Sequence, residues 1–201
     1  MKRRIVFATS NEGKIREIKM ILKDLDCEVV SLKEAGIDAD IVEDGETFED
    51  NAIIKAETIM KLTNDIVVAD DSGLEVDYLD KAPGVYSARF LGEDTPYSVK
   101  NKYIIDKLEG VEVEKRTARF VCTIACAFPD KETVVKRATI EGYIGYEEKG
   151  TNGFGYDPIF MYPQYNCTTA ELSSDKKNEI SHRGKALRLM KPVIEEYIKN
   201  N

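Results

Sequence analysis

Short apolar blocks along the chain alternate with stretches whose apolar positions recur every three or four residues, and this change of period predicts where strands give way to helices. "RRIVFAT" (3–9) is an apolar run closed by the polar turn "TSNEGK" (9–14). Ile15, Ile18, Ile21 or Leu22, and Leu25 then repeat at helical spacing, so strand, loop and helix follow in that order. "CEVVSL" reads as a second short strand. From Thr47, "TFEDNAIIKAETIMKL" carries a Thr47/Asp50 pair resembling a capping box, with Phe48, Ala52, Ala56 and Ile59 along one face of the predicted helix. "DIVVAD" follows as a buried strand that runs into two adjacent carboxylates, Asp70 and Asp71, then Ser72 and Gly73.

In the second half, "DTPYSVKNKYIIDKLEG" places Pro96 for a first helical turn and Gly110 for a C-terminal stop. "RFVCTIACAF", a "PDKE" turn and "TVVKRATIEGYIG" predict a long antiparallel hairpin. Phe120, Cys122, Ile124, Cys126 and Phe128 alternate onto one face of its first arm, which is therefore expected to be buried. Residues 142–158 are rich in glycine and read as a loop. "SHRGKALRLMKPVIEEYIK" predicts a C-terminal helix bent near Pro192. There is no internal repeat or low-complexity linker. Strands alternating with helices, plus a hairpin, imply a mixed-sheet α/β fold. Ligands in such sheets sit beyond the carboxyl ends of strands, where this reading puts both "TSNEGK" and "DDSG".

The chain of 201 residues, 42% hydrophobic and 33% charged, fits one globular domain, and its formal net charge of −8 argues against a nucleic-acid partner held by phosphate neutralisation. It leaves room for one small anion in a local basic pocket. No apolar run is long enough to span a membrane, and "IVFA" is too short for the core of a signal peptide, so the expected location is the cytoplasm. Cys122 and Cys126 lie four apart in a predicted strand, roughly 13 Å at about 3.3 Å per residue. That is too far for a disulfide, and the four cysteines read as reduced structural thiols.

Several segments carry candidate chemistry. "TSNEGK" offers Thr9 and Asn11 side chains, Gly13 for close backbone approach, and Lys14 at a helix start, where unpaired N–H groups favour an anion. The same residues also suit a plain capped turn. Buried carboxylates are costly unless paired or on a metal, so Asp70 and Asp71 point to a cation. With one histidine in the chain and no Cys/His cluster, oxygen ligands and a hard ion such as Mg2+ are favoured. One aspartate capping a turn and one in solvent is the plainer alternative. "IVEDGETFEDNAIIKA" supplies Glu43, Asp44 and Lys55, which a solvated helix face would also explain. In "GFGYDPIF" the rings of Phe154 and Tyr156 offer a stacking surface and Asp157 an acceptor for ring N–H groups, unless this is simply a glycine turn packed by aromatics. "SHRGKA" puts His182 and Arg183, both donors, at a helix start. Taken together, helix-start lysines, an acidic cation site and a stacking-plus-donor cluster describe a pocket for a Mg-bound nucleotide.

In order along the chain, "TSNEGK", "FEDNAIIKA", "ADDSGLEVDYL", "APGVYSARF", "GFGYDPIF" and "AELSSDKKNEISHRGKAL" resemble the inosine/xanthosine triphosphate pyrophosphatase family, from about residue 3 to residue 190. The resemblance implies an elongated mixed β-sheet with flanking helices, two lobes around a deep cleft, a homodimer and a Mg2+ requirement. It also implies hydrolysis of ITP, dITP and XTP, small-molecule nucleoside triphosphates, to the monophosphate and pyrophosphate. By position, Thr9, Ser10, Asn11, Glu12, Gly13 and Lys14 correspond to the triphosphate loop, with Lys55 a further phosphate contact. Glu43 and Asp71 correspond to the metal carboxylates, Asp71 also to the proton acceptor, and Ser72 to a substrate contact. Phe154, Gly155, Tyr156, Asp157, Lys177, His182 and Arg183 correspond to the base pocket, while Asp70 is expected to shape the turn or to support the metal ligands. Donors from His182 and Arg183 would favour a 6-oxo purine over adenine, a kind of pairing that discriminates by about 10^4. Rival readings are a pyrophosphatase for modified pyrimidine or methylated nucleotides and a sensor that binds ITP without hydrolysis. A serine hydrolase built on His182 lacks a nucleophile elbow.

Overall fold

The computed structural model describes residues 3–200. Among them are seven strands, β1 (Arg3–Phe7), β2 (Cys27–Ser31), β3 (Ile66–Val76), β4 (Thr117–Phe128), β5 (Lys131–Ile144), β6 (Phe160–Tyr162) and β7 (Cys167–Thr168). Five α-helices accompany them: α1 (Glu12–Ile21), α2 (Phe48–Thr63), α3 (Tyr97–Lys107), α4 (Ser174–Ile180) and α5 (His182–Asn200). The strands hydrogen bond in the order β2-β1-β3-β4-β5-β6-β7. β1 is parallel to β2 and to β3, whereas β6 is antiparallel to β5 and to β7, so the sheet is mixed as expected. Chain contacts divide into two compact units, Met1–Asp71 with Cys122–Ala138 and Arg183–Asn201, and Ser72–Val121 with Thr139–His182.

In the first unit the sheet is covered on both faces, which is why its strands read as nearly unbroken apolar runs. Along β1, Ile5 and Phe7 join Ile18 and Leu22 of α1 and Leu187 and Met190 of α5. Val6 turns the other way, toward Ala52, Ala56 and Ile59 of α2. Burying a side chain such as Ile59 completely contributes roughly 1.5–3 kcal/mol. The face of β4 expected to be buried is buried, and the opposite face is buried as well. Cys122, Ile124, Cys126 and Phe128 enter the first of these cores, but Ala125 and Ala127, on the opposite face, are buried in the second. All four cysteines are free.

A correction concerns β3, which does not end at Asp70 and Asp71 but continues through Ser72 and Gly73 to Val76. "DDSG" is therefore inside a strand, while "TSNEGK" does follow the carboxyl end of β1. The strand can carry two charges because successive side chains leave on opposite faces and each meets cations there: Asp70 faces Lys14 and Arg183, Asp71 faces Lys55.

The second unit has its own core, with Leu74 and Val76 of β3, Ile104 and Leu108 around α3, Ile140 and Ile144 of β5, Phe160, and Ile180 of α4. Fully buried Arg116 pins its periphery, donating to the carbonyls of Leu108 and Ile144, both at 2.7 Å, and of Gly145 at 2.5 Å. Pro96 caps α3, and Gly110 follows the helix at φ +74°. Gly142 admits β6 closely, since a Cβ there would lie 2.3 Å from the Met161 carbonyl. The stretch read as loop from residue 142 is strand up to Ile144 and becomes irregular only beyond it. α4 was not anticipated, and it is capped by Ser173, whose hydroxyl accepts from the Lys176 N–H at 3.3 Å. Pro192 lies inside α5.

Candidate active site

The predicted residues fall into two sets, one in each unit. In the first, β1 delivers the chain into α1 through Thr9–Lys14. The Thr9 hydroxyl accepts from the Asn11 N–H at 3.2 Å, and the Asn11 side chain caps α1 by accepting from the Lys14 N–H at 3.2 Å. The N–H groups of Glu12 and Gly13, in the first turn, have no acceptor within the helix, and they end the helix as a small positive pole. Asn11 is thus a structural cap as well as a candidate substrate contact.

Lys14 Nζ reaches Asp70 Oδ2 at 2.9 Å, and the same oxygen accepts from Arg183 Nε at 3.3 Å. Arg183 Nη1 also donates to Glu17 Oε2. On the other face of β3, Lys55 Nζ donates to Asp71 Oδ1 at 3.0 Å and to Glu43 Oε2 at 2.9 Å. Asp70 and Glu17 thus face Lys14 and Arg183, while Asp71 and Glu43 share Lys55. Burial pushes the Asp71 carboxyl above its ordinary value, although Lys55 and Lys14 pull it down. Burial works to lower Lys55, but Asp71, Asp70 and Glu43 more than offset it and raise the ammonium. The same balance raises Arg183, where Asp70 and Glu17 outweigh burial.

Asp71 Oδ2 is buried and has no hydrogen-bond partner. With Glu43 drawn in through the shared lysine, the donor set suits a small hard cation: two carboxylates supplying oxygen, an acceptor atom without a proton to accept. Among the described residues no group of three or more His, Cys, Asp or Glu is gathered as metal ligands. A Mg2+ ion characteristically completes such a pair with water and substrate phosphate oxygens.

In the second unit the buried carboxylate of Asp157 organises the glycine-rich loop. It accepts from the Phe154 N–H at 2.8 Å, from the Thr169 hydroxyl at 2.8 Å and from Lys177 Nζ at 2.7 Å. That ammonium also lies 4.5 Å from the centre of the Phe154 ring. Gly153, at φ +77°, is required here because a Cβ would stand 2.3 Å from Asp157 Oδ2. Asp157 is thus held by the protein's own donors on both oxygens. Gly155 follows at φ +69°, and its carbonyl accepts from Asn101 Nδ2 at 3.3 Å. Tyr156 packs edge-on to Tyr97 and donates its hydroxyl proton to the Ser87 carbonyl at 2.8 Å. Burial raises the Tyr156 phenol, so it stays protonated as that donor. His182 stacks on Phe120, ring centres 4.9 Å apart and planes 16° from parallel. Ser72 is half-buried on β3. His182 and Arg183, adjacent in sequence, belong to different sets.

Five supporting residues escaped the sequence reading: Glu17, Ser87, Asn101, Phe120 and Thr169. Ser87 sits in the quoted block "APGVYSARF", where its hydroxyl accepts from the Leu74 N–H at 2.9 Å. Phe120 was visible only as one more apolar residue of an alternating strand. Asn101 and Thr169 had no periodic or motif signal at all, and Glu17 resembled any polar residue on a helix surface.

The family model described as the Ham1 family matches residues 5–193. A dITP/XTP pyrophosphatase of Bacillus licheniformis is 50% identical over 192 residues, 96% of this chain and 98% of its own length. One from Bacillus subtilis is 47% identical over 190 residues, 94% and 96% of the two chains. Among solved structures, the Staphylococcus aureus Ham1 protein superposes with a TM-score of 0.87 at 42% identity, covering 97% of this chain and 100% of that one. A nucleoside-triphosphatase, dITP/XTP pyrophosphatase, from Mycobacterium abscessus gives a TM-score of 0.75 at 39% identity, covering 94% and 99%.

Proposed function

The chain belongs to the Ham1 family, and from that premise we propose that it hydrolyses ITP, dITP and XTP to the monophosphate and pyrophosphate with the help of Mg2+. It is a nucleoside-triphosphate pyrophosphatase, and its substrates are non-standard purine triphosphates. The observation that carries the finer reading is Asp71, a buried carboxylate with one oxygen on Lys55 and the other without a hydrogen-bond partner.

In this reading Lys14 and the N–H groups at the start of α1 bind phosphate oxygens, and Lys55 shifts part of its charge from the carboxylates to the substrate. Glu43 and Asp71 would hold the Mg2+, which when bound neutralises charge on the phosphates. Asp71 orients a water and takes its proton. The water oxygen forms a bond to the α-phosphorus, the bond from that phosphorus to the bridging oxygen breaks, and pyrophosphate leaves with that oxygen. The raised Asp71 carboxyl supports the role, since a base is more effective as its proton affinity approaches the working pH.

Phe154 and Tyr156 shape the surface for the purine, and Asp157 with Lys177 keeps that loop in place. His182 and Arg183 donate to the 6-oxo group, leaving the amino group of adenine facing donors. The reading includes a cytoplasmic homodimer, supported by the family resemblance; among the described residues no helix is long and apolar enough to cross a membrane. The test is pyrophosphate release from ITP, XTP, dITP, GTP and ATP, with Mg2+ and with EDTA, for the wild type and Asp71→Asn. Fast release from the first three, lost in EDTA and in the variant, is expected. Binding of ITP without release would overturn the reading in favour of a sensor.

A further inference from the structure

Asn51 of α2 is fully buried, and both polar atoms of its side chain are given to one glycine. The Gly45 N–H donates to Asn51 Oδ1 at 2.9 Å, and Asn51 Nδ2 donates to the Gly45 carbonyl at 3.3 Å. The amide thus pairs with the backbone much as a neighbouring strand would. So close an approach needs glycine, because a Cβ at residue 45 would stand 2.6 Å from Asp50 Cβ and 2.8 Å from Asn51 Oδ1. Residues 38–45 belong to no helix or strand. Among the described residues, the hydrogen bonds of their backbone are these two. Ala39 and Ile41 also pack against the core that α2 covers, but apolar contact is non-directional and does not fix where along the helix the segment lies.

Glu43 stands two residues before Gly45. Its carboxylate accepts from Lys55 Nζ at 2.9 Å while its side chain is 33% exposed, and ion pairs open to solvent hold their geometry weakly. Lys55 lies four residues beyond Asn51 on the same face of α2. That face therefore meets the segment twice, with Asn51 at its backbone and Lys55 at its carboxylate. We propose that Asn51 is a positioning residue for Glu43, holding the acidic segment in register along α2 so that the Glu43 carboxylate stays beside Lys55 and Asp71. The inference rests on the reading in which Glu43 and Asp71 hold Mg2+. In that reading Lys55 gives part of its charge to the phosphates, which weakens its pull on Glu43. A hold on the backbone does not depend on that charge, so Glu43 keeps its place when the lysine turns to the substrate.

The test compares wild type, Asn51→Leu, Gly45→Ala, Ile59→Val, Glu43→Gln and the Glu43→Gln/Asn51→Leu double variant. Asn51→Leu and Gly45→Ala break one contact from its two sides, so either decides if the other does not fold. Ile59→Val loosens α2 from its core without touching that contact. Two titrations are run, pyrophosphate release from ITP over a Mg2+ series and melting temperature over the same series without nucleotide. In Asn51→Leu and Gly45→Ala the half-saturating Mg2+ concentration is expected to rise about 10- to 100-fold, the usual effect of losing a partner that orients a ligand. The kcat at saturating Mg2+ should stay close to that of the wild type. Ile59→Val should lower the melting temperature and leave the Mg2+ midpoint in place. The double variant should bind Mg2+ no more weakly than Glu43→Gln alone, because Asn51 acts through Glu43. An unchanged midpoint in Asn51→Leu and Gly45→Ala overturns the proposal. So does an equal shift in Ile59→Val, which is what mere loosening of the helix would give. If the wild type releases no pyrophosphate from ITP, the proposed function falls, and the melting titration decides this inference by itself. A wild type that responds to Mg2+ in neither titration overturns both.

Discussion

Replacing Lys55 by methionine keeps most of the side chain's stem and removes the ammonium that joins Glu43 to Asp71. Both carboxylates then share a site without their common cation. Breaking a buried pair from one side costs about 3–5 kcal/mol, because a charge is left without compensation. Here the Asp71 side chain is 11% exposed but that of Glu43 is 33% exposed, so solvent relieves part of the penalty and the lower end, about 3 kcal/mol, applies. For a chain of this size each kcal/mol moves the melting temperature by about 2–4 °C, so Lys55→Met in EDTA should melt about 6–12 °C below the wild type. A cation bound at about one hundred times its Kd returns about 2.7 kcal/mol. Saturating Mg2+ should therefore restore most of the loss. The wild type should gain less, since its lysine already neutralises the pair and has to yield before a divalent ion can bind. Calorimetry with and without Mg2+, against potassium chloride at matched ionic strength, checks this with no nucleotide present. An equal Mg2+-induced rise in both proteins would refute the assignment of Glu43 and Asp71 to the cation. A rise reproduced by potassium chloride would reduce the effect to screening.

Asp157→Asn leaves the Lys177 ammonium, in a residue 5% exposed, without its carboxylate and should cost about 3–5 kcal/mol in a urea titration. Adding Lys177→Met should recover part of that loss, because replacing both partners by groups of like shape is close to neutral; strictly additive losses would show that the two are not coupled. The Glu34 carboxyl is held at about 2, below its ordinary 4.5, by the Lys19 ammonium and by the N–H and hydroxyl of Ser31. A lowered carboxyl contributes stability above its unfolded value and loses it as pH falls through the folded one. Stability should therefore decline between pH 4.5 and about 2, and Glu34→Gln should flatten that part of a pH series of melts. An unchanged slope would remove Glu34 from the account.

Local period made the architecture legible because each long element buries a defined face. Ile15, Ile18 and Leu22 repeat as a helix must repeat, and α2 starts at the Thr47/Asp50 pair that the spacing marked. α4 left no such trace: "SDKKNEI" has a single apolar residue in seven positions and owes its helix to the Ser173 cap and to what Ile180 packs against. The supporting partners were hidden for a different reason. Asp157 is satisfied from 12 and 20 residues away, and Asp70 meets Arg183 from a distance of 113. No window of sequence contains both members of such pairs.

The adjacent aspartates show where linear reading and geometry part. Side by side in sequence they suggest one acidic patch, a strand brought to an end by charge. A strand sends consecutive side chains to opposite faces, so adjacency in β3 means separation in space. Asp70 is committed to Lys14 and Arg183 on the face of α1 and α5, Asp71 to Lys55 on the face of α2. Two carboxylates in one pocket would repel and raise each other's proton affinity; on opposite faces each can be matched by its own cations. The division leaves Asp70 between Lys14 and Arg183, and Asp71 with one oxygen on Lys55 and the other without a hydrogen-bond partner, the atom that the proposed function assigns to a cation and a water. A single residue inserted between them would put both on one face and destroy that division, whatever it did to the composition of the site.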